Sequence, residues 1–178
     1  MRGVRMMCYA DIDRDLRRAA ARAIGGLLLV SALGAGPAAA GGAVNTGYFG
    51  GVAIKGYDTV AYFTDGKAMK GSEEFAYDWL GTPWYFASAE HRDLFKGDPA
   101  KYAPQYGGYC TGGVAGGHAA VNVDPETAWR IIDGKLYIVY DPTYVADLDR
   151  PDRGELLAKA ETNWPSIKEQ LDRNPLFN

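Results

Sequence analysis

The residues of this chain that could coordinate a metal ion or act as a nucleophile are few. Cys110 is the single cysteine beyond residue 40, and His91 and His118 are the only histidines. A thiolate and two imidazoles are ligands that copper, zinc and iron accept in proteins. His91 precedes Cys110 by 19 residues and His118 follows it by 8, so the three form no compact ligand motif. The sequence predicts a metal site at Cys110, His91 and His118 if the fold brings them together.

Cys110 has two other interpretations. With His91 or His118 as its base, it would be the nucleophile of a thiol-dependent enzyme. As a small apolar side chain, it would simply be buried in the core. Tyr109, its neighbour, is a candidate for lining a ligand pocket. The surrounding run 107–117 holds six glycines in eleven residues, which favours neither helix nor strand, and it lacks the Gly-Lys-Ser/Thr ending of a nucleotide-binding loop.

The first forty residues have the pattern of a secretory signal peptide. Six arginines precede an apolar run at 23–33, and the small residues Ala38, Ala39 and Ala40 follow it. The apolar run is shorter than the roughly 20 residues that span a bilayer, so no permanent membrane anchor is expected. The pattern therefore predicts a periplasmic or secreted protein that is cleaved near Ala40.

The charge of the chain argues against nucleic acid as a partner. Residues 1–40 hold six of the 19 Lys and Arg and three of the 22 Asp and Glu, which leaves 13 basic and 19 acidic residues after cleavage. Such an acidic protein lacks the basic surface that displaces counterions from phosphates. With one cysteine left, the mature chain is also expected to form no internal disulfide.

Beyond the signal peptide, the sequence predicts one small domain. Residues 41–51 are glycine-rich and are predicted to be a flexible tether, residues 52–173 form the domain, and 174–178 are a tail. Alternating apolar residues predict two hairpins, at 75–86 and 128–140. The second hairpin contains Asp-Gly, a strong signal for a two-residue turn.

Capping residues predict where the helices begin. Short polar side chains that can accept a hydrogen bond from a first helical turn precede each candidate helix. These residues are Asp58, Ser88, Asp98 and, before a last helix that contains Pro165, Asn163. Together with the hairpins they predict an α+β fold: a small antiparallel sheet built from two hairpins, short helices and a C-terminal helical segment.

Five short segments of the chain carry a resemblance to a known family. They are residues 55–63 (KGYDTVAYF), 84–95 (WYFASAEHRDLF), 98–110 (DPAKYAPQYGGYC), 133–137 (DGKLY) and 163–165 (NWP). In this order they resemble the exported, single-domain YHS family, and the resemblance covers about residues 50–170.

Short relatives within that family are thought to hold metal through three cysteines, and the resemblance places those positions at Ala61, Ala87 and His91. Because alanine offers no lone pair, the resemblance implies that a three-thiolate site cannot form here. With the candidate ligands above, it predicts an exported binding module for a small ligand or a transition metal (copper, zinc or iron), without established catalysis. The alternatives are a thiol-dependent redox enzyme using Cys110 and a structural protein that docks a protein partner.

Overall fold

The computed structural model of the chain describes residues 44–48, 50–119 and 122–173. The predicted signal peptide at 1–40 and the predicted tail at 174–178 lie outside these residues. Within the described part of the chain, no helix combines the length and the apolar character needed to cross a membrane.

Four short strands and several helices make up the described part. The strands are β1 (Ser72–Trp79), β2 (Thr82–Phe86), β3 (Trp129–Ile132) and β4 (Lys135–Ile138). The α-helices are α1 (Ala61–Thr64), α2 (Ala89–Gly97), α3 (Pro99–Tyr102), α4 (Thr111–Ala115), α5 (Val145–Asp149) and α6 (Arg153–Arg173). A single turn of tighter helix occurs at Pro142–Tyr144, and tight turns with positive φ at their inner residues occur at Ala53–Gly56 and Gln105–Gly108.

Both predicted hairpins are present. β1 pairs with β2 and β3 pairs with β4, each antiparallel. Leu80-Gly81 and Asp133-Gly134 form the turns, and all four residues have positive φ, which suits the two-residue turn whose twist matches the flanking strands. The α+β class is confirmed. The strands lie in two separate two-stranded sheets rather than the one predicted, with β1 in contact with α2 and β3 in contact with α5.

The aromatic part of the core lies between β2 and α2. The period of two in β2 buries Thr82, Trp84 and Phe86. Helix α2 contributes Phe95, whose ring centroid lies 4.9 Å from that of Trp84 and 5.0 Å from that of Phe86. Rings of this size each bury about 150–250 Å² and dominate the energetics of a small core. This packing fixes α2 against the first hairpin.

Helix α4 lies inside the glycine-rich run, where no helix was expected from the sequence. That prediction is wrong because contacts with α6 offset the poor helix propensity of glycine. The side chain of Asn163 in α6 donates to the carbonyl oxygens of Val114 at 3.1 Å and Ala115 at 3.0 Å. These bonds satisfy carbonyls at the end of α4 that have no partner within the helix.

Helix α6 runs through Pro165 without ending there, so the predicted helix start at Asn163 is wrong. A proline inside a helix removes one backbone hydrogen bond and costs about 3 kcal/mol. Buried residues on both sides of it, Ala160 before and Ile167 and Leu171 after, hold the two halves against the core. The burial of these side chains offsets the local cost.

Within the segment predicted as a flexible tether, residues 44–47 are buried, whereas Tyr48, Gly50 and Gly51 are exposed. Val44 and Asn45 are each 1% exposed. The backbone N–H of Asn45 donates to the carbonyl of Gly107 at 2.9 Å, and its side chain donates to Gly108 at 3.0 Å. The packed region therefore includes residues well before the predicted domain boundary at 52. The hydrogen bonds that join Asn45 to Gly107 and Gly108 span more than sixty residues, so the local composition gives no sign of them.

Candidate functional site

His91 occupies the first turn of α2. The helix begins after Ser88, whose hydroxyl accepts a hydrogen bond from the backbone N–H of His91 at 3.1 Å. A capping bond of this kind satisfies a donor that has no partner within the helix and fixes the start of the first turn. The His91 side chain is 15% exposed, so one edge of its ring reaches the surface.

Behind His91, the fully buried carboxylate of Asp58 accepts four hydrogen bonds. Its Oδ1 accepts from the backbone N–H groups of Val60 at 2.9 Å and Ala61 at 3.3 Å. Its Oδ2 accepts from the N–H of Ala87 at 2.8 Å and contacts Nδ1 of His91 at 2.7 Å. Burying a carboxylate is costly unless both oxygens are satisfied, as they are here. Asp58 thereby joins the start of α1, the end of β2 and the first turn of α2.

The contact with Asp58 fixes the tautomer of the His91 ring. An ionised carboxylate only accepts hydrogen bonds, so Nδ1 carries the hydrogen. In the neutral ring, Nε2 then has the lone pair and is the atom available to a ligand. Nε2 lies 3.3 Å from Oγ1 of Thr64 and 3.4 Å from Oδ2 of Asp65. The site therefore presents one imidazole nitrogen beside one partly exposed carboxylate.

The three positions at which the resemblance places metal-binding cysteines meet around Asp58. The N–H groups of Ala61 and Ala87 and the Nδ1 of His91 all donate to its carboxylate. The fold brings these positions together, but two of them carry no ligand atom. A three-thiolate metal site does not fit these residues. Of the three positions, only His91 offers a donor, at Nε2.

Cys110 and Tyr109 are core residues rather than the walls of an open pocket. Cys110 is a free cysteine that is 5% exposed. Tyr109 is 0% exposed, and its ring centroid lies 6.0 Å from that of Trp164. Burial raises the pKa of the Tyr109 hydroxyl above its ordinary value. Both residues support the packing beneath α4 and α6.

The structure does not assemble the predicted metal site of Cys110, His91 and His118. His91 contacts Asp58 and Asp65, whereas Cys110 belongs to the hydrophobic core and His118 is exposed beyond the end of α4. Across residues 44–48, 50–119 and 122–173, no group of three or more His, Cys, Asp or Glu side chains is arranged to hold a metal ion. Sequence spacing alone could not show this separation, because it depends on how α2 and α4 are placed.

The reactivity of Cys110 is open to a direct test. Reactive cysteines are partly exposed and carry thiolate character. Because Cys110 is buried, we expect iodoacetamide to modify it at least about tenfold more slowly in the folded protein than in concentrated urea. Mass spectrometry of the peptide that contains Cys110 measures both rates. Equal rates would reveal an accessible thiol and would favour the redox-enzyme alternative.

Sequence reasoning missed Thr64 and Asp65 as neighbours of His91 and identified Asp58 only as a helix cap. The capping prediction is confirmed by the bonds from Val60 and Ala61. The second carboxylate oxygen reaches His91, which lies 33 residues further along the chain. The available signal was the pair of aspartates that flank the short α1, but no local pattern connects them to His91.

A family model matches the central part of this chain. The model of the YHS domain matches residues 60–106, a span that includes Asp65 and His91 and leaves out Asp58, Cys110 and His118. No curated protein and no solved structure matches the chain. The segments from α1 to α3, which surround the candidate site, thus fall within the matched span. The chain therefore contains a YHS domain at residues 60–106.

Proposed function

We propose that this protein is an exported YHS-domain module that binds a transition metal ion through Nε2 of His91. The signal-peptide pattern of residues 1–40 supports export. The presence of a YHS domain and the orientation of the His91 ring support binding. Cys110 and His118 take no part in the proposed site.

One observation carries the proposal: Nδ1 of His91 lies 2.7 Å from the buried carboxylate of Asp58. Histidines that ligate metals almost always donate their other N–H to a carboxylate, a carbonyl or water. That second bond orients the ring and makes the ligating nitrogen more basic. Since Asp58 is itself held by three backbone N–H groups, the ring is oriented before any ion arrives.

Replacing His91 with asparagine separates its two roles. The Asn side-chain amide can still donate to Asp58, whereas the ligand atom Nε2 is lost. We expect untagged His91→Asn protein to bind Zn(II) at least about tenfold more weakly than the wild type. Isothermal titration calorimetry on metal-free protein measures the difference, and far-UV circular dichroism checks that the variant is folded.

His118→Gln is the matched control, because His118 is the other histidine of the chain and is exposed. Its Zn(II) affinity should equal that of the wild type. All variants keep the same cysteines, so any difference in uptake belongs to the substituted histidine. Wild-type protein that takes up neither Zn(II), Cu(I) nor Fe, or His91→Asn protein that takes up as much metal as the wild type, would refute the proposal.

A further inference from the structure

We infer that Asp65 is the second protein ligand of this site and that the ion it selects is a divalent cation of intermediate softness, such as Zn²⁺. The inference rests on the proposed function, since it names the partner of His91 and the class of ion. The carboxylate of Asp65 lies at the end of α1 and is 35% exposed, so the site opens to solvent. Water would complete the coordination, as it does in open zinc sites.

The distance between the two donor atoms fits a bound ion. Nε2 of His91 and Oδ2 of Asp65 are 3.4 Å apart. Zinc–nitrogen and zinc–oxygen bonds of about 2.0–2.2 Å, at a tetrahedral angle, place two ligand atoms about 3.3–3.6 Å apart. An ion could therefore bind between these side chains without moving either one.

A positive charge would also stabilise the contact between Nε2 of His91 and Oδ2 of Asp65. Nε2 of His91 lies 3.4 Å from Oδ2 of Asp65, and Oγ1 of Thr64 lies 3.3 Å from the same nitrogen. Two electron-rich atoms at this distance repel each other unless a cation or a proton lies between them. The Thr64 hydroxyl has a single hydrogen, and its oxygen is closer to Oδ2 of Asp65, at 2.7 Å, than to Nε2, at 3.3 Å. It orients the carboxylate instead.

The chemistry of the donors sets the class of ion. One imidazole nitrogen and one carboxylate oxygen suit Zn²⁺ and similar divalent ions, whereas Cu(I) prefers thiolate and thioether ligands. The only thiol among the described residues, Cys110, is buried in the core. The alanines at positions 61 and 87 supply backbone N–H groups to Asp58 rather than sulfur. The site therefore lacks the soft donors that would hold Cu(I).

Replacing Asp65 with asparagine tests the inference. Asparagine keeps the shape of the side chain and an oxygen that can accept from Thr64, but it removes the charge. We expect Asp65→Asn protein to bind Zn(II) at least about tenfold more weakly than the wild type in the same calorimetric titration. Asp78→Asn, which changes an exposed aspartate of β1, should bind within about twofold of the wild type.

The outcomes separate this inference from the proposed function. If no Zn(II) uptake depends on His91, the proposed function fails. If uptake depends on His91 but Asp65→Asn binds as tightly as the wild type, the proposed function stands and Asp65 is not a ligand. Wild-type protein that removes Cu(I) from bicinchoninate, and binds it more tightly than Zn(II), would overturn the assigned class of ion.

Discussion

Replacing Asp58 with alanine is expected to lower the free energy of unfolding by about 3 kcal/mol or more. The substitution leaves the N–H groups of Val60, Ala61 and Ala87 and the Nδ1 of His91 without their acceptor. Each buried donor without a partner costs about 1–3 kcal/mol, although relaxation and entering water recover part of the sum. Urea denaturation followed by tryptophan fluorescence measures the loss.

Asp93→Ala is a suitable control for this experiment. Asp93 lies on the same helix as His91, its side chain is 63% exposed, and its partner is the neighbouring Arg92. An exposed ion pair contributes little, so this change should shift stability by less than about 1 kcal/mol. If the Asp58 and Asp93 variants were equally stable, the four hydrogen bonds of Asp58 would not be what joins the three segments.

Replacing Phe95 with alanine is expected to lower the free energy of unfolding by about 3–5 kcal/mol. Phe95 is 0% exposed and packs against aromatic rings from both strands of the first hairpin. Those rings belong to Tyr77, Trp79, Trp84 and Phe86. Because rigid neighbouring rings fill a cavity poorly, the lost contacts add to the lost burial. Chemical denaturation monitored by circular dichroism gives the difference.

Leu94→Ala provides the comparison, since Leu94 is adjacent on α2 but 38% exposed. Truncating it should cost less than about 1 kcal/mol, because surface substitutions seldom exceed this value. Similar losses for the two variants would mean that α2 is not held to the hairpin chiefly through Phe95. The position of His91 on the first turn of α2 depends on that packing.

The stability of the domain and the geometry of the candidate site are linked through Asp58. The same carboxylate satisfies three backbone N–H groups and orients the His91 ring. An Asp58 variant would therefore change folding and ligand binding together. For this reason the binding tests use His91→Asn and Asp65→Asn, which leave the acceptor in place.

Local signals in the sequence were sufficient for the individual elements. The Asp-Gly turn of the second hairpin, the Ser88 cap of α2 and the Asp98 cap of α3 are all present as predicted. Each depends on residues within a few positions of one another, and the side-chain chemistry of those residues determines the local hydrogen bonds. The α+β class followed from the same signals.

Packing between distant segments decided the rest. The helix α4 in the glycine run and the continuity of α6 through Pro165 depend on contacts that local propensity does not describe. The same is true of the candidate site, where Asp58 meets His91 across 33 residues, while Cys110 is buried apart from it. The sequence supplied the ligand types, but only the placement of α1, β2 and α2 around one buried carboxylate selects His91. The physical reason is that a buried charge must find donors wherever the chain brings them, and their distance along the sequence does not matter.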